Sequence, residues 1–98
     1  MNISFAKKGS GILLAPEGKI DTITSPDFKD ALLEALQEGD TVVDMAGITF
    51  ISSVGLRVVL VAQKQANKDK RKLTFININD GVMDVFKMTG FINMVKIE

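Results

Sequence analysis

Neither histidine nor cysteine occurs anywhere in the 98 residues. Ser-His-Asp and Cys-His nucleophilic catalysis are thereby excluded, and so are zinc sites of the usual kinds. No metal site and no cofactor is expected. A disulfide cannot form, which fits a cytoplasmic setting. Long hydrophobic runs are missing too. The longest wholly apolar stretch, Val58 to Ala62, falls far short of the ~20 residues that span a bilayer, and Met1–Ser10 carries no apolar run of a secretory signal. A soluble cytoplasmic domain without membrane insertion is expected. An excess of either charge is also absent: Lys and Arg number 12 against 12 Asp and Glu. That balance argues against nucleic-acid binding by bulk positive charge.

What is present reads as one small domain over residues 1–98, with 46% hydrophobic and 24% charged residues. Ile3–Lys8 and Ile12–Ala15 flank Gly9-Ser10-Gly11, the pattern of an antiparallel hairpin. Ser25-Pro26 reads as an N-cap and first helical residue. Phe28, Leu32, Ala35 and Leu36 then mark the apolar stripe of a helix that Gly39 ends. Thr41–Asp44 reads as a buried strand. Val54–Ala62 has strand propensity but runs on through Gln63–Lys68 without a turn signal, so a helix over Ser53–Lys68 is predicted, capped by Ser52 or Ser53. Leu73–Asn77 is the next strand. Asp80 is predicted to cap a short helix stopped near Gly90, and Met94–Ile97 to close the sheet. The order β-β-α-β-α-β-α-β predicts an α/β fold, with a mixed, mostly parallel sheet of about five strands and about three helices packed on it.

The chemistry concentrates in Asp44-Met45-Ala46-Gly47-Ile48-Thr49-Phe50-Ile51-Ser52-Ser53-Val54-Gly55-Leu56. A strand ends in Asp44, a loop follows, and two serines open a helix. The N–H groups of a helix start are unpaired and carry about half a positive charge, so a hydroxyl there suits a phosphate. Gly55 bares the first turn to another molecule on one reading. On the other, the serines are caps and the glycine only packs closely.

This stretch resembles the signature of the STAS-domain family, best known from bacterial anti-sigma factor antagonists. Their pattern is a strand ending Asp-x-Ser, a few residues, then an aromatic or aliphatic pair and Asp-Ser-Ser/Thr-Gly-Leu. Gly18-Lys19-Ile20-Asp21 resembles the family's turn before its first helix, and Phe86-Lys87-Met88-Thr89-Gly90-Phe91 its closing helix and glycine step. The resemblance covers essentially the whole chain. It implies a binding module that is not an enzyme. Ser53 aligns with the serine that a partner anti-sigma factor, acting as a serine kinase, phosphorylates. The unmodified antagonist sequesters that partner and frees a sigma factor, and a serine phosphatase resets the modified form. Asp21, Ser52, Ser53, Val54, Gly55 and Arg57 would form the partner surface, and no nucleic acid is implied. Ser52 replaces the family's aspartate and becomes a second candidate acceptor, while Val54 replaces its serine or threonine. Without modification, the chain would be a constitutive STAS module of a signalling or lipid-transport assembly.

Other features admit two readings. Val54, Val58 and Val61 flank the core stripe of the second helix, as core packing or as a partner face. Lys64, Lys68, Lys70, Arg71 and Lys72 suggest nucleic acid but fit a solvated helix C-terminus. Met83, Met88 and Met94 suit an adaptable surface or core filling. Asp44 paired with Asp21 would suit a receiver-like phosphoacceptor, but the acidic pair and extra helices of that fold are absent. An enzyme using Ser53 would need Asp, Glu or Lys as its base, and no Gly-x-Ser-x-Gly elbow is present. A nucleoside triphosphate alone discriminates: an enzyme turns it over, whereas a substrate module stays inert until a kinase is added.

Overall fold

A computed structural model describes residues 1–98. The N-terminal hairpin forms as predicted: β1 (Asn2–Lys8) runs antiparallel to β2 (Gly11–Ile20). β2 extends beyond the predicted Ala15 to Ile20, because alternate residues Ile12, Leu14 and Pro16 point inward and Ile20 is buried again at its end. Gly18–Ile20, read from sequence as part of a turn, is therefore strand. α1 (Ser25–Glu38) leads to β3 (Thr41–Asp44). β4 (Ile48–Ile51) follows, a strand where the sequence pattern predicts a loop. α2 (Ser53–Lys68), β5 (Leu73–Ile76), α3 (Asp80–Thr89), a 3-10 turn at Phe91–Asn93 and β6 (Lys96–Ile97) complete the chain.

The sheet has six strands rather than five, in the order β1-β2-β3-β5-β6, with β4 on the end of β2. All pairings after the hairpin are parallel. β3 and β4 both lie against β2, separated by a three-residue kink. The kink satisfies its backbone: Met45 N–H donates to the Ile76 carbonyl at 2.9 Å, and Gly18 N–H to the Gly47 carbonyl at 2.9 Å. One apolar cluster joins Leu14, Val43 and Phe75 of the sheet to side chains of all three helices. Phe86 fastens α3 edge-on between Phe75 and Phe91, with ring centroids 6.3 and 6.4 Å away.

Several end signals sit elsewhere than expected. Ser25 is the first residue of α1, buried, and not its cap. Asn79, not Asp80, caps α3, its Oδ1 accepting from Val82 N–H at 2.9 Å. Gly39 ends α1 in extended backbone, and glycine is required there by space, since a Cβ would lie 2.9 Å from the Ser10 carbonyl oxygen. Met88 is 86% exposed and Met94 48%, so neither fills the core; Met45 does.

The basic cluster after α2 acquires one specific role. α1 has no basic residue in its last turn. Arg71, distant in sequence, supplies one: its Nε donates to the Leu36 carbonyl at 3.0 Å and its Nη2 to the Gln37 carbonyl at 3.2 Å. Both carbonyls belong to the last turn of α1, where acceptors lack intrahelical partners. Arg71→Met, which keeps the apolar stem, is expected to cost ~1.5 kcal/mol in urea unfolding, the low end of the ~1.5–3 kcal/mol usual for hydrogen bonds involving a charged group, since the Gln37 bond is exposed. Arg71→Lys should recover only part of this, because an ammonium cannot reproduce the planar two-pronged donation.

Candidate functional site

The site is made where two parallel strands stop together. Ile20 of β2 lies beside Ile51 of β4. Ser52 N–H then donates to the Ile20 carbonyl at 2.8 Å, tying the start of α2 to the end of β2. Asp21 follows Ile20 as Ser52 follows Ile51, so residues 31 positions apart leave the sheet side by side. They do so at the carboxyl ends of the strands, the usual ligand-facing edge of parallel sheets.

The two serines divide their work. Ser52 has extended backbone and is the N-cap of α2, its Oγ accepting from Gly55 N–H at 3.2 Å. Ser53 is the first helical residue; it is exposed, and its hydroxyl has no partner within the chain. The first turn of α2 contains no acidic residue, so the positive end of its dipole stands uncompensated.

Asp21 is not the freely solvated carboxylate that a loop position suggests. Its Oδ1 accepts from Thr24 N–H at 3.0 Å and Ile23 N–H at 3.0 Å, while Asp21 N–H donates to Thr24 Oγ1 at 2.9 Å. Thr24 Oγ1 in turn lies 2.6 Å from the Lys19 carbonyl. This reciprocal arrangement is a capping box set one turn ahead of α1. Donation from the Thr24 backbone, foremost, and from Ile23 holds the Asp21 carboxyl below its ordinary value of 3.8, against an opposing contribution from partial desolvation. Oδ2 takes no part in these bonds and remains available.

Gly55 faces inward. It is buried, and a Cβ there would lie 2.7 Å from Ile20 Cγ2 and 2.8 Å from Ile51 Cγ1. The close approach is thus internal: α2 seats directly on the paired strand ends, and Gly55 offers no surface to another molecule. Val58 is likewise buried, while Val54 and Val61 are 39% and 36% exposed. With Arg57 they line a groove of about 380 Å³ between α2 and the start of α1, whose opposite wall includes Pro26, Lys29 and Asp30.

Two exposed apolar residues at this end escaped the sequence reading. Ile23, in the Asp21 turn, is 86% exposed, and Phe50, three residues before Ser53, is 49% exposed. An isoleucine between two threonines in a turn is a signal that could have been noticed. Phe50 could not, because β4 buries Ile48 and Ile51 and exposes both residues between them, breaking the two-residue alternation. No group of His, Cys, Asp or Glu is arranged to hold a metal ion, and no helix is long and apolar enough to cross a membrane.

The STAS domain model matches residues 2–98. The chain belongs to the STAS domain family. Among curated STAS relatives, the anti-sigma-B factor antagonist of Listeria monocytogenes is 28% identical over 83 residues, covering 83% of this chain and 73% of that protein. An anti-sigma factor antagonist from Mycobacterium paratuberculosis has a solved structure that superposes with a TM-score of 0.87 at 16% identity, over 98% of this chain and 83% of that one. The phosphorylated form of the Bacillus cell fate determinant SpoIIAA superposes with a TM-score of 0.74 at 12% identity, over 99% and 91% of the two chains. Both likenesses place this STAS chain in the same fold.

Two measurements follow from this geometry. In Gly55→Ala, overpacking costs ~1–3 kcal/mol and helix propensity returns up to ~1 kcal/mol. With two side chains of the stiff isoleucine type inside 3 Å the crowding dominates, and denaturant unfolding should register a net loss of ~1–2 kcal/mol. For Asp21, a lowered folded pKa means the unfolded state takes up its proton first as acid is added. Its contribution is therefore complete above 3.8 and is lost as pH falls below that value through the folded pKa. Thermal melts of Asp21→Ala should begin lower than wild type at neutral pH, with the gap closing in this acidic window; equal melting temperatures at neutral pH would contradict the capping box.

Proposed function

We propose that this STAS chain is an anti-sigma factor antagonist: a binding module that, unmodified, holds an anti-sigma factor serine kinase and so frees a sigma factor. Phosphorylation at Ser53 ends the association, and a serine phosphatase restores it. The observation that carries this reading is the division between neighbouring serines. Ser52 commits its hydroxyl to capping α2, whereas Ser53 is exposed and unbonded. A kinase meets one ready nucleophile and one whose use would dismantle a helix cap.

The partner surface is built around that hydroxyl. Asp21 presents Oδ2 beside the start of α2, and Ile23, Phe50 and Val54 supply exposed apolar area close by. Exposed apolar area mixed with polar and charged groups suits a reversible protein interface. Arg57, one turn along α2, adds a cation at its edge. The names of the relatives support the same role, as does the existence of SpoIIAA in a phosphorylated form.

On energetic grounds the proposed switch acts at the interface and not in the fold. A phosphoserine adds about −1.5 to −2 charges at neutral pH. At the start of α2 those charges meet unpaired N–H groups and the positive dipole end, worth ~0.3–1 kcal/mol in favour of the folded domain. A partner closing over the same group must desolvate it, and an uncompensated buried charge costs several kcal/mol. Each ~1.4 kcal/mol is tenfold in affinity.

Incubation with ATP and the anti-sigma kinase, read by mass spectrometry, is expected to place phosphate on Ser53 and none on the Ser53→Ala chain. The phosphorylated domain should keep its melting temperature within a few degrees while its affinity for the kinase, by calorimetry, falls at least tenfold. Full labelling of Ser53→Ala at Ser52 would overturn the site assignment. A domain that binds the partner equally well in both forms would mark a constitutive STAS module instead.

A further inference from the structure

Ser53 and Arg57 stand four residues apart on α2, both on its exposed side. Residues so spaced lie on one face with Cβ atoms about 5–6 Å apart. Helical side chains lean toward the N-terminus, so Arg57 leans toward Ser53 rather than away from it. An anion four residues before a cation is the favourable order.

Arg57 is also unengaged. The ion pairs of the molecule are Met1 amino group to Asp27 and Lys96 to Glu98, and the arginine that makes side-chain hydrogen bonds is Arg71. The charged groups sharing the groove with Arg57 are Lys29 and Asp30 of α1, and neither forms an ion pair. Asp21 stands at the adjacent strand end, with Oδ1 occupied by backbone donors. A flexible guanidinium thus has no competing short contact to break.

We propose that Arg57 is an intramolecular phosphate latch: once Ser53 carries a phosphoryl group, the Arg57 guanidinium turns back along α2 and holds it. This rests on phosphorylation at Ser53 and adds a second part to the switch. Guanidinium and phosphate form short, charge-assisted and often bidentate pairs, stronger than neutral hydrogen bonds. In the unmodified chain Arg57 projects at the rim of the groove, where a partner carboxylate can use it. In the modified chain it is withdrawn. A partner then loses a cation while meeting an anion, so one covalent event changes two features of the surface. Lys29 is the rival holder, and it sits on α1, out of helical register with Ser53.

The test separates the latch from the kinase. Phosphoserine is installed at position 53 by genetic encoding, without any kinase, in wild-type, Arg57→Gln and Lys29→Gln chains. Phosphorus NMR follows the second ionisation of the phosphate, ordinarily near pH ~6. A bound guanidinium favours the dianion, so Arg57→Gln is expected to raise that pKa by roughly 0.2–0.4 unit, the shift equivalent to a helical ion pair at this spacing, while Lys29→Gln leaves it unchanged. The Arg57 Nε resonance should move on phosphorylation of the wild-type chain. An identical phosphate pKa in wild type and Arg57→Gln, or a shift found only in Lys29→Gln, would overturn the latch. Failure of every kinase to modify Ser53 would instead sink the phosphoswitch, and the encoded phosphoserine would still report on Arg57.

Discussion

The pairing of Ile20 with Ile51 is the contact on which the candidate site depends. Parallel strands cannot be joined by a tight turn, so β2 and β4 are connected through α1, β3 and the kink after it. That detour lets two sequence-distant segments end at the same level. The Ser52–Ile20 backbone bond then fixes where α2 begins. Gly55 lets the helix sit down on both isoleucines, with no side chain between. A larger residue would lift the first turn, and with it the position of Ser53 relative to Asp21. The glycine thus sets where the start of α2 stands relative to Asp21.

The two halves of the site are stabilised by different means. On the α1 side a reciprocal set of hydrogen bonds between Asp21 and Thr24 orders the turn. On the α2 side a single serine cap and burial of Leu56 and Val59 do so. The first arrangement contains a charge and is sensitive to acid; the second is neutral and is not. Asp21 consequently carries both order and a free oxygen toward the same edge. Its order is local, within four residues, which is why a residue next to the proposed partner surface can hold its shape without a partner.

Much of this was legible in residue order. The hairpin, the α1 stripe, the α2 span and the serines at its start all follow from local pattern, and local pattern is what a sequence displays. β4 was not legible, because Met45-Ala46-Gly47 reads as the start of a loop and the pattern of Ile48–Ile51 is buried, exposed, exposed, buried. Its strand character comes from the partner segment of β2, whose Ile20 pairs with Ile51 from 31 positions earlier. The caps moved for a related reason. Ser25 and Asp80 are good capping residues beside better-placed ones: Asn79 wins because its backbone is extended where α3 begins, and the Asp21–Thr24 bonds already order the turn before α1. Arg71 was misread as one of a solvated cluster, since nothing local reveals that the end of α1 lies beneath it. Gly55 carried two readings, and only the positions of Ile20 and Ile51 decide between them.

If Ser53 is phosphorylated as proposed, the serine at position 52, where the resembling signature has aspartate, changes the electrostatics of that event. A carboxylate at the cap of α2 would supply the same kind of hydrogen bond to Gly55 and would also compensate the helix dipole. A phosphate arriving on the next residue would then meet a neighbouring negative charge. In this chain the cap is neutral, and α2 has no acid in its first turn. The positive helix end is left for the phosphate itself to satisfy. Ser52 is therefore consistent with a modified state that the fold accommodates more readily than an aspartate at the same position would allow. On the proposed reading, the penalty of modification then falls on the complex, where a partner must close over the new charge. A neutral cap beside an exposed serine separates the cost to the complex from the cost to the fold.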